Sequence, residues 1–457
     1  MAPTERITRL IAHPNQYPWG KVGNDSMAAR LTKNASEEGF KVNPKEPYAE
    51  LWMGTHPTNP TSLRSSPDTL LSSHLTQHPE LLGTSASKFR PPFDGAKGSG
   101  TEDQTTGHVP FLFKVLTCKQ ALPLQIHPNK DLAKKLHEED PEKYPDVNHK
   151  PEIAVCLSGS FLGFASFRPY AQIVQILTTI PEIKALSSSA MQSSIETFIS
   201  NPTGDTLRPV WEEFLKLSDN EDSVKAFTER VKKEREDAFE GLVGEGFSLK
   251  EKGNMVKAVV NSGHYYPGDG GLFSTLFFLN LVELKKGEGM YVGADGPHAW
   301  LDGEIVELMA ISDNVLNVGF TPDSDKDDPS LVAKTVTCAP KTPSELILKS
   351  TEFSKSSTGK TTVYSTPFEE FSILRIEGDD SLKAFDGPGV AVITSGQWVI
   401  SENDGEAKSV SASAEDTGSV WFIGAGTESK WERKSVEGEV WMAFYDADAK
   451  KDEVGKK

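Results

Sequence analysis

The chain has 457 residues, of which 37% are hydrophobic and 25% charged, and its 48 Lys and Arg against 66 Asp and Glu give a formal net charge of −18. This suits a globular protein of two or three domains. The acidic balance argues against sequence-independent nucleic-acid binding, which needs clustered Lys and Arg. No run reaches the roughly 18 apolar residues of a membrane span.

The opening "MAPTERITRLIAHPNQ" has scattered charges and no apolar core, so it is not read as a secretory signal. The three cysteines, Cys118, Cys156 and Cys338, lie in or beside apolar runs without metal-like spacing. Buried thiols in a cytoplasmic protein are expected.

Residues 1 to about 170 read as β-rich with long loops. "YAELWMGTHPTNPT" mixes aromatics, Gly and Pro, and "FRPPFDGAKGSGTEDQTTGH" reads as an exposed loop. "VPFLFKVLTCKQA" reads as a core strand, with Lys114 inside the apolar run. A buried Lys needs a partner, either a substrate phosphate or a carboxylate. "LPLQIHPNK" alternates apolar and polar residues, so Gln125 and His127 share one strand face. "VNHKPEIAVCL" places Glu152 at the mouth of an apolar strand, with Lys150 two residues earlier.

Near Arg168 the pattern changes. "PYAQIVQILTTIPEIKAL" and "TLRPVWEEFLKLSDNEDSVKAFTERVKKEREDAFEGLV" carry helical spacing, the second through Val210, Phe214, Leu215, Leu217, Val224, Phe227 and Val231. A helical block over 169–260 is therefore expected. From Gly270 short apolar runs return, broken by Gly at turn-like intervals, as in a jelly-roll sandwich. This stretch supplies His298 in a Gly-rich turn, Glu307 as a polar residue in an apolar strand, and Asp313. Two later stretches, "GVAVITSGQWVISENDG" and "TGSVWFIGAGTESKWE", read as strand–turn–strand units, and the charged tail as frayed. The fold expected is mainly β: two β-sandwich domains of jelly-roll type with an inserted α-helical domain.

Gln125 and His127 suit the i, i+2 half of a metal site, completed by Glu152 and His298. Two imidazoles, a carboxylate and an amide oxygen form a borderline-hard set suited to catalytic zinc rather than a closed structural site. On spacing alone the structural reading prevails, because a lone His beside a strand is more often a hydrogen-bonded structural residue than a ligand.

"QIHPNK", "NHKPE", "PHAWLDGEIVELMAISDNV" and "GFTP" together resemble type I mannose-6-phosphate isomerase, or phosphomannose isomerase. So do "YPWGKVGNDSMAA", "EPYAELWMGTHP", "PFLFKVL" and residues 265–299, so the likeness spans 15 to about 325. The resemblance implies two cupin-like domains, one catalytic over 1–168 plus 261–340 and one C-terminal over 341–450, around the helical domain at 169–260. It implies one zinc per chain, held by Gln125, His127, Glu152 and His298. It implies a monomer acting on a hexose phosphate, interconverting mannose 6-phosphate and fructose 6-phosphate and feeding GDP-mannose synthesis. Lys150, Glu307 and Asp313 are then the proton-transfer candidates, and Lys114, Trp19, His149 and Asn317 the candidates for holding substrate. The C-terminal section has no histidine, the last being His298, and is expected to be metal-free and structural.

Four positions depart from the family pattern. Pro123 stands where Ser is usual, Trp300 where Tyr is usual, Asn317 where a substrate-binding Arg is usual, and Asp323 where Lys is usual. Arg offers a permanent charge in a planar fork, and Asn a neutral amide. Two functions stay open: an ordinary isomerase whose phosphate site is rearranged onto Lys114, Lys150 or Lys326, and a divergent paralogue with zinc retained but a different sugar, or a non-catalytic sugar-binding role.

Overall fold

The computed structural model describes residues 5–89, 107–186, 188–217, 221–402 and 417–447. The loop expected at 89–108 and the charged tail fall almost wholly outside them. Two large antiparallel sheets dominate, as expected for a mainly β, cupin-like chain.

The first sheet contains, as neighbours, Glu50–Met53, Phe111–Cys118, His298–Ala310, Glu152–Cys156 and Gly289–Val292. Its residues alternate between two faces. Ile153, Val155, Val306, Leu308, Phe113, Val115, Leu51 and Met53 pack against Val390, Val392, Val420, Phe422, Trp441 and Ala443 of the second sheet in one buried cluster. The opposite face is the interior that holds the candidate site.

The second sheet runs through Ser372–Ile376, Glu439–Phe444, Gly389–Ser395 and Val420–Ile423, and continues into Ile7–Ile11 and Ser62–Leu63 from the start of the chain. Leu10 is fully buried opposite Val420. The two strand–turn–strand stretches form the expected strands, but neither closes on itself. Gly389–Ser395 pairs with Val420–Ile423, and Trp398–Glu402 pairs with Ser429–Arg433. Each stretch turns a corner between sheets instead, the first at Gly396, whose φ of +81° suits glycine.

The expected helical block is present as Tyr170–Thr179, Ser189–Ser200, Gly204–Leu215, Glu221–Glu234 and Leu249–Tyr265 with shorter pieces between. The seven apolar residues that set its periodicity are all buried, and their cluster includes Phe164, Phe167, Leu279, Ala299 and Leu301 from the strands. Helices in the β-rich first part were not anticipated, the longest among the described residues being Met27–Ala35 and Lys130–Glu139. Both start at side-chain caps, Ser26 and Asn129. Cys118, Cys156 and Cys338 are free and buried. Among the described residues no helix is long and apolar enough to cross a membrane.

The 13-residue strand His298–Ala310 belongs to two layers. Its first part pairs with Ser160–Phe167, and its second with Phe111–Cys118 and Glu152–Cys156. The register slips by one residue between the Leu162–Asp302 and Gly163–Trp300 pairs, and Gly303 follows at φ +125°. A bulge of this kind bends a strand and changes which parity faces inward. Trp300 and Glu307 consequently share the interior, and the Trp300 indole N–H donates to Glu307 Oε1 at 2.6 Å. A straight strand would separate residues seven apart by roughly 23 Å. A Cβ at Gly303 would lie 2.8 Å from the Ser160 carbonyl oxygen. Gly303→Ala is expected to destabilise the protein by about 1–3 kcal/mol in urea unfolding, the usual cost of enforced backbone strain.

Candidate metal centre

Antiparallel partners share a face, so register alone assembles most of the site. One row runs Ala154, Glu307, Lys114, Trp52. Glu152 stands two residues from Ala154, and Glu50 two from Trp52, on that same face. A second row runs His298, Gln125, Asn317. His127 follows directly on the short strand Leu124–Ile126.

His127, Glu152 and His298 converge. Their ligand atoms lie within 4.8 Å of one another, and all three residues are buried. His127 Nε2 is 3.2 Å from Glu152 Oε1, and His298 Nε2 is 3.2 Å from Glu152 Oε2. Each imidazole has its other nitrogen beside a backbone carbonyl, His127 Nδ1 at 2.9 Å from Asn314 O and His298 Nδ1 at 3.1 Å from Gly296 O. A carbonyl only accepts, so Nδ1 carries the proton and Nε2 keeps its lone pair toward the cluster. His127 Nε2 is buried and, among the described residues, makes no hydrogen bond of acceptable geometry. Burial, and then the Lys150 charge, push the His127 imidazole down to about 4, with Glu152 pulling the other way. A neutral ring with an orphaned, inward lone pair fits a metal ligand.

Lys114 is buried between two carboxylates, 3.3 Å from Glu307 Oε2 and 3.6 Å from Glu50 Oε1, with its ammonium 5.0 Å from the Trp52 ring centre. The Trp52 indole N–H donates to Glu50. Of the two partners foreseen for Lys114, the structure supplies carboxylates. Burial pushes the Glu307 carboxyl up, Lys114 opposing it and the Glu152 and Glu50 charges adding to it. Asp313 lies at the rim with Oδ1 3.1 Å from His56 Nε2. His56 Nδ1 accepts the Thr58 N–H, so the Nε2 proton points at Asp313. Burial works to raise the Asp313 carboxyl, but the His56 bond and the Lys150 and Lys114 charges leave it below its usual value. Lys150 is half-buried, close enough to influence both His127 and Asp313, and makes no ion pair among the described residues.

The remaining candidates lie further out. Trp19 stacks on Tyr17 with ring centres 5.4 Å apart. His149 bonds Glu370 Oε1 at 2.7 Å, so its Nε2 is engaged by the loop that leads into the C-terminal sheet rather than open to the cleft. Glu50, His56 and Glu370 were missed. Glu50 had a legible signal, a lone acid in the apolar run "YAELWMG". Glu370 had none, sitting 221 residues from His149 beside the exposed Glu369.

Comparison with known proteins follows the same lines. Residues 7–170 match the family model described as "Phosphomannose isomerase type I, catalytic domain". The mannose-6-phosphate isomerase of Cryptococcus neoformans is 37% identical over 98% of this chain and 100% of its own length. The chain belongs to the mannose-6-phosphate isomerase family. Another family member, from Schizosaccharomyces pombe, is 32% identical over 95% of this chain and 99% of its own. In fold, a variant of phosphomannose isomerase from Salmonella typhimurium superposes with a TM-score of 0.75 at 23% identity, covering 97% of this chain and all of that one. A mannose 6-phosphate isomerase bound with zinc and yttrium gives 0.73 at 23% identity over the same shares.

The departures from the family pattern have definite places. Asn317 is held through its backbone, its N–H donating to Asp327 Oδ2 at 2.8 Å and its carbonyl accepting from Asp327 N at 2.7 Å, while its buried Oδ1 has no hydrogen-bond partner among the described residues. Asp323 is exposed and pairs with Lys326 at 2.8 Å, and Lys326 is also 3.7 Å from Asp269. Trp300 supplies the indole bond to Glu307. Lys114→Met leaves Glu50 and Glu307 buried without their cation. Denaturant unfolding is expected to show a loss of about 3–5 kcal/mol, the usual result of breaking a buried ion pair from one side.

Proposed function

We propose that the protein is a metal-dependent aldose–ketose isomerase interconverting mannose 6-phosphate and fructose 6-phosphate, with one resident zinc. The convergence of His127, Glu152 and His298 carries this reading, with Gln125 beside His298 as the fourth donor. The full-length likeness to curated mannose-6-phosphate isomerases supplies the substrate. The three buried free cysteines and the family agree with a cytoplasmic enzyme.

Aldose–ketose exchange moves a proton between C1 and C2 and develops negative charge on oxygen. Bound zinc supplies Lewis acidity that stabilises that oxygen and orients the sugar. The chain's own residues handle the proton. Among the described residues, Lys150 makes no ion pair with a carboxylate while its charge acts on both His127 and Asp313. Glu307, raised by burial, stands on the same sheet face as Glu152, one strand over, and is fixed by Trp300 and Lys114. Asp313, fixed by His56, stands at the entrance as the third proton-transfer group.

One observation favours the second reading, a divergent sugar specificity. Lys114 is engaged by two carboxylates, Lys326 by Asp323 and Asp269, and the row beside the metal ends in the neutral Asn317. A coupled assay on zinc-loaded protein, run with mannose 6-phosphate and with mannose, decides between them. We expect turnover of the phosphorylated sugar, lost on chelation and restored by zinc. Zinc occupancy without turnover of any hexose phosphate would remove the isomerase reading. Asn317→Arg is expected to lower KM for mannose 6-phosphate about tenfold or more, since a charge-assisted contact to phosphate is worth roughly 1.5–3 kcal/mol and 1.4 kcal/mol is tenfold.

A further inference from the structure

The three ligand-bearing segments are tied together outside the cluster itself. Asp295, three residues before His298, donates its backbone N–H to the His127 carbonyl at 2.8 Å. Its carboxylate accepts from Asn129 N at 2.9 Å and Asn129 Nδ2 at 2.7 Å. Asp295 holds this position at φ +62°, a conformation that non-glycine residues rarely adopt. This joins the segment after His127 to the segment before His298.

The Glu152 segment has a different anchor, from the loop that leads into the other sheet. Glu370, only 5% exposed, sits just before the strand Ser372–Ile376 of the C-terminal sheet. One oxygen, Oε1, lies 2.7 Å from His149 Nε2 and 3.7 Å from Lys130 Nζ. His149 is three residues before Glu152, and Lys130 is three after His127. The run from His149 to Glu152 is stiff, because Pro151 fixes its own φ and biases Lys150 toward an extended backbone. Holding His149 therefore limits the position of Lys150 and the approach of Glu152. The loop that carries Glu370 is itself pinned, with Thr366 Oγ1 donating to the Phe371 carbonyl at 2.7 Å. Its Phe368 packs edge-on to Tyr291, one residue before the Val292 that pairs with Glu152.

We propose that Glu370, contributed by the loop that leads into the C-terminal sheet, is a positioning residue for the metal centre and for Lys150, acting through His149. This goes beyond the structural role expected of that domain and rests on the metal-isomerase reading above. An inter-domain strut would contribute only to stability. A positioning residue also changes metal affinity and kcat.

The test uses the full-length zinc protein with Glu370→Ala and the isosteric Glu370→Gln, which keeps the fold if the first variant does not. Zinc affinity is read by chelator competition, kcat and KM on mannose 6-phosphate, and the melting temperature of the metal-free protein. For Glu370→Ala we expect zinc binding weaker by about tenfold or more, in the range for loss of an outer-shell partner. We also expect kcat to fall about tenfold with KM changed less than threefold, and Glu370→Gln to lie between it and wild type. Lys130→Met, at an exposed arm of the same carboxylate, is expected to shift zinc affinity less than threefold. Unchanged zinc affinity and kcat in whichever Glu370 variants fold, with a lower melting temperature, would overturn the proposal. Wild-type protein that binds no zinc would remove the metal reading and this proposal together, an outcome distinct from the first.

Discussion

The bend in one strand governs the rest of this structure. His298–Ala310 starts in one layer of the sandwich and ends in the other, slipping register near Gly303. His298 then faces Glu152 across the interior, while Glu307 faces Lys114 and reaches back to Trp300. Without the slip, strict alternation would send His298 and Glu307, nine residues apart, to opposite faces. A close backbone approach to Ser160 reserves the corner for glycine.

What that bend encloses is an electrostatic problem. Glu50, Glu152 and Glu307 are buried with Lys114 as the buried ammonium among them. The carboxylates outnumber the ammonium among them. Uncompensated buried charge is costly, and a group left so shifts its pKa instead. Glu307 shows the strain as a raised pKa. A cation at the lone pairs of His127 and His298 would offset that excess in sign. Lys114, held between Glu307 and Glu50, belongs to that charge balance.

The two halves of the chain are coupled through their backs. The site sheet turns its other face to the C-terminal sheet in a single apolar cluster, and the first strand of the chain is built into that C-terminal sheet. Glu370 extends the coupling into the polar layer. A section whose sequence shows no histidine and no cofactor pattern therefore holds His149, the neighbour of Lys150.

The sequence alone determined the class of fold and the helical block, and it singled out His127, Glu152 and His298, which converge in the structure, because each is written in local order. Helical and strand periodicities state which residues seek burial. Several long motifs in one order identified the family, and the buried Lys114 announced its need for a partner. Three things were settled only in three dimensions. Glu307 joined the interior because a bulge reversed strand parity, which no count of residues along the chain reveals. Lys114 took carboxylates because Trp52 and Glu50 arrive on a neighbouring strand in register. His149 turned to Glu370 because two sheets pack back to back, placing side chains 221 residues apart within hydrogen-bonding distance. Periodicity encodes which face a residue prefers within its own element. Which other element stands opposite that face is decided by packing, and it is there that partners, charge balance and site geometry are fixed.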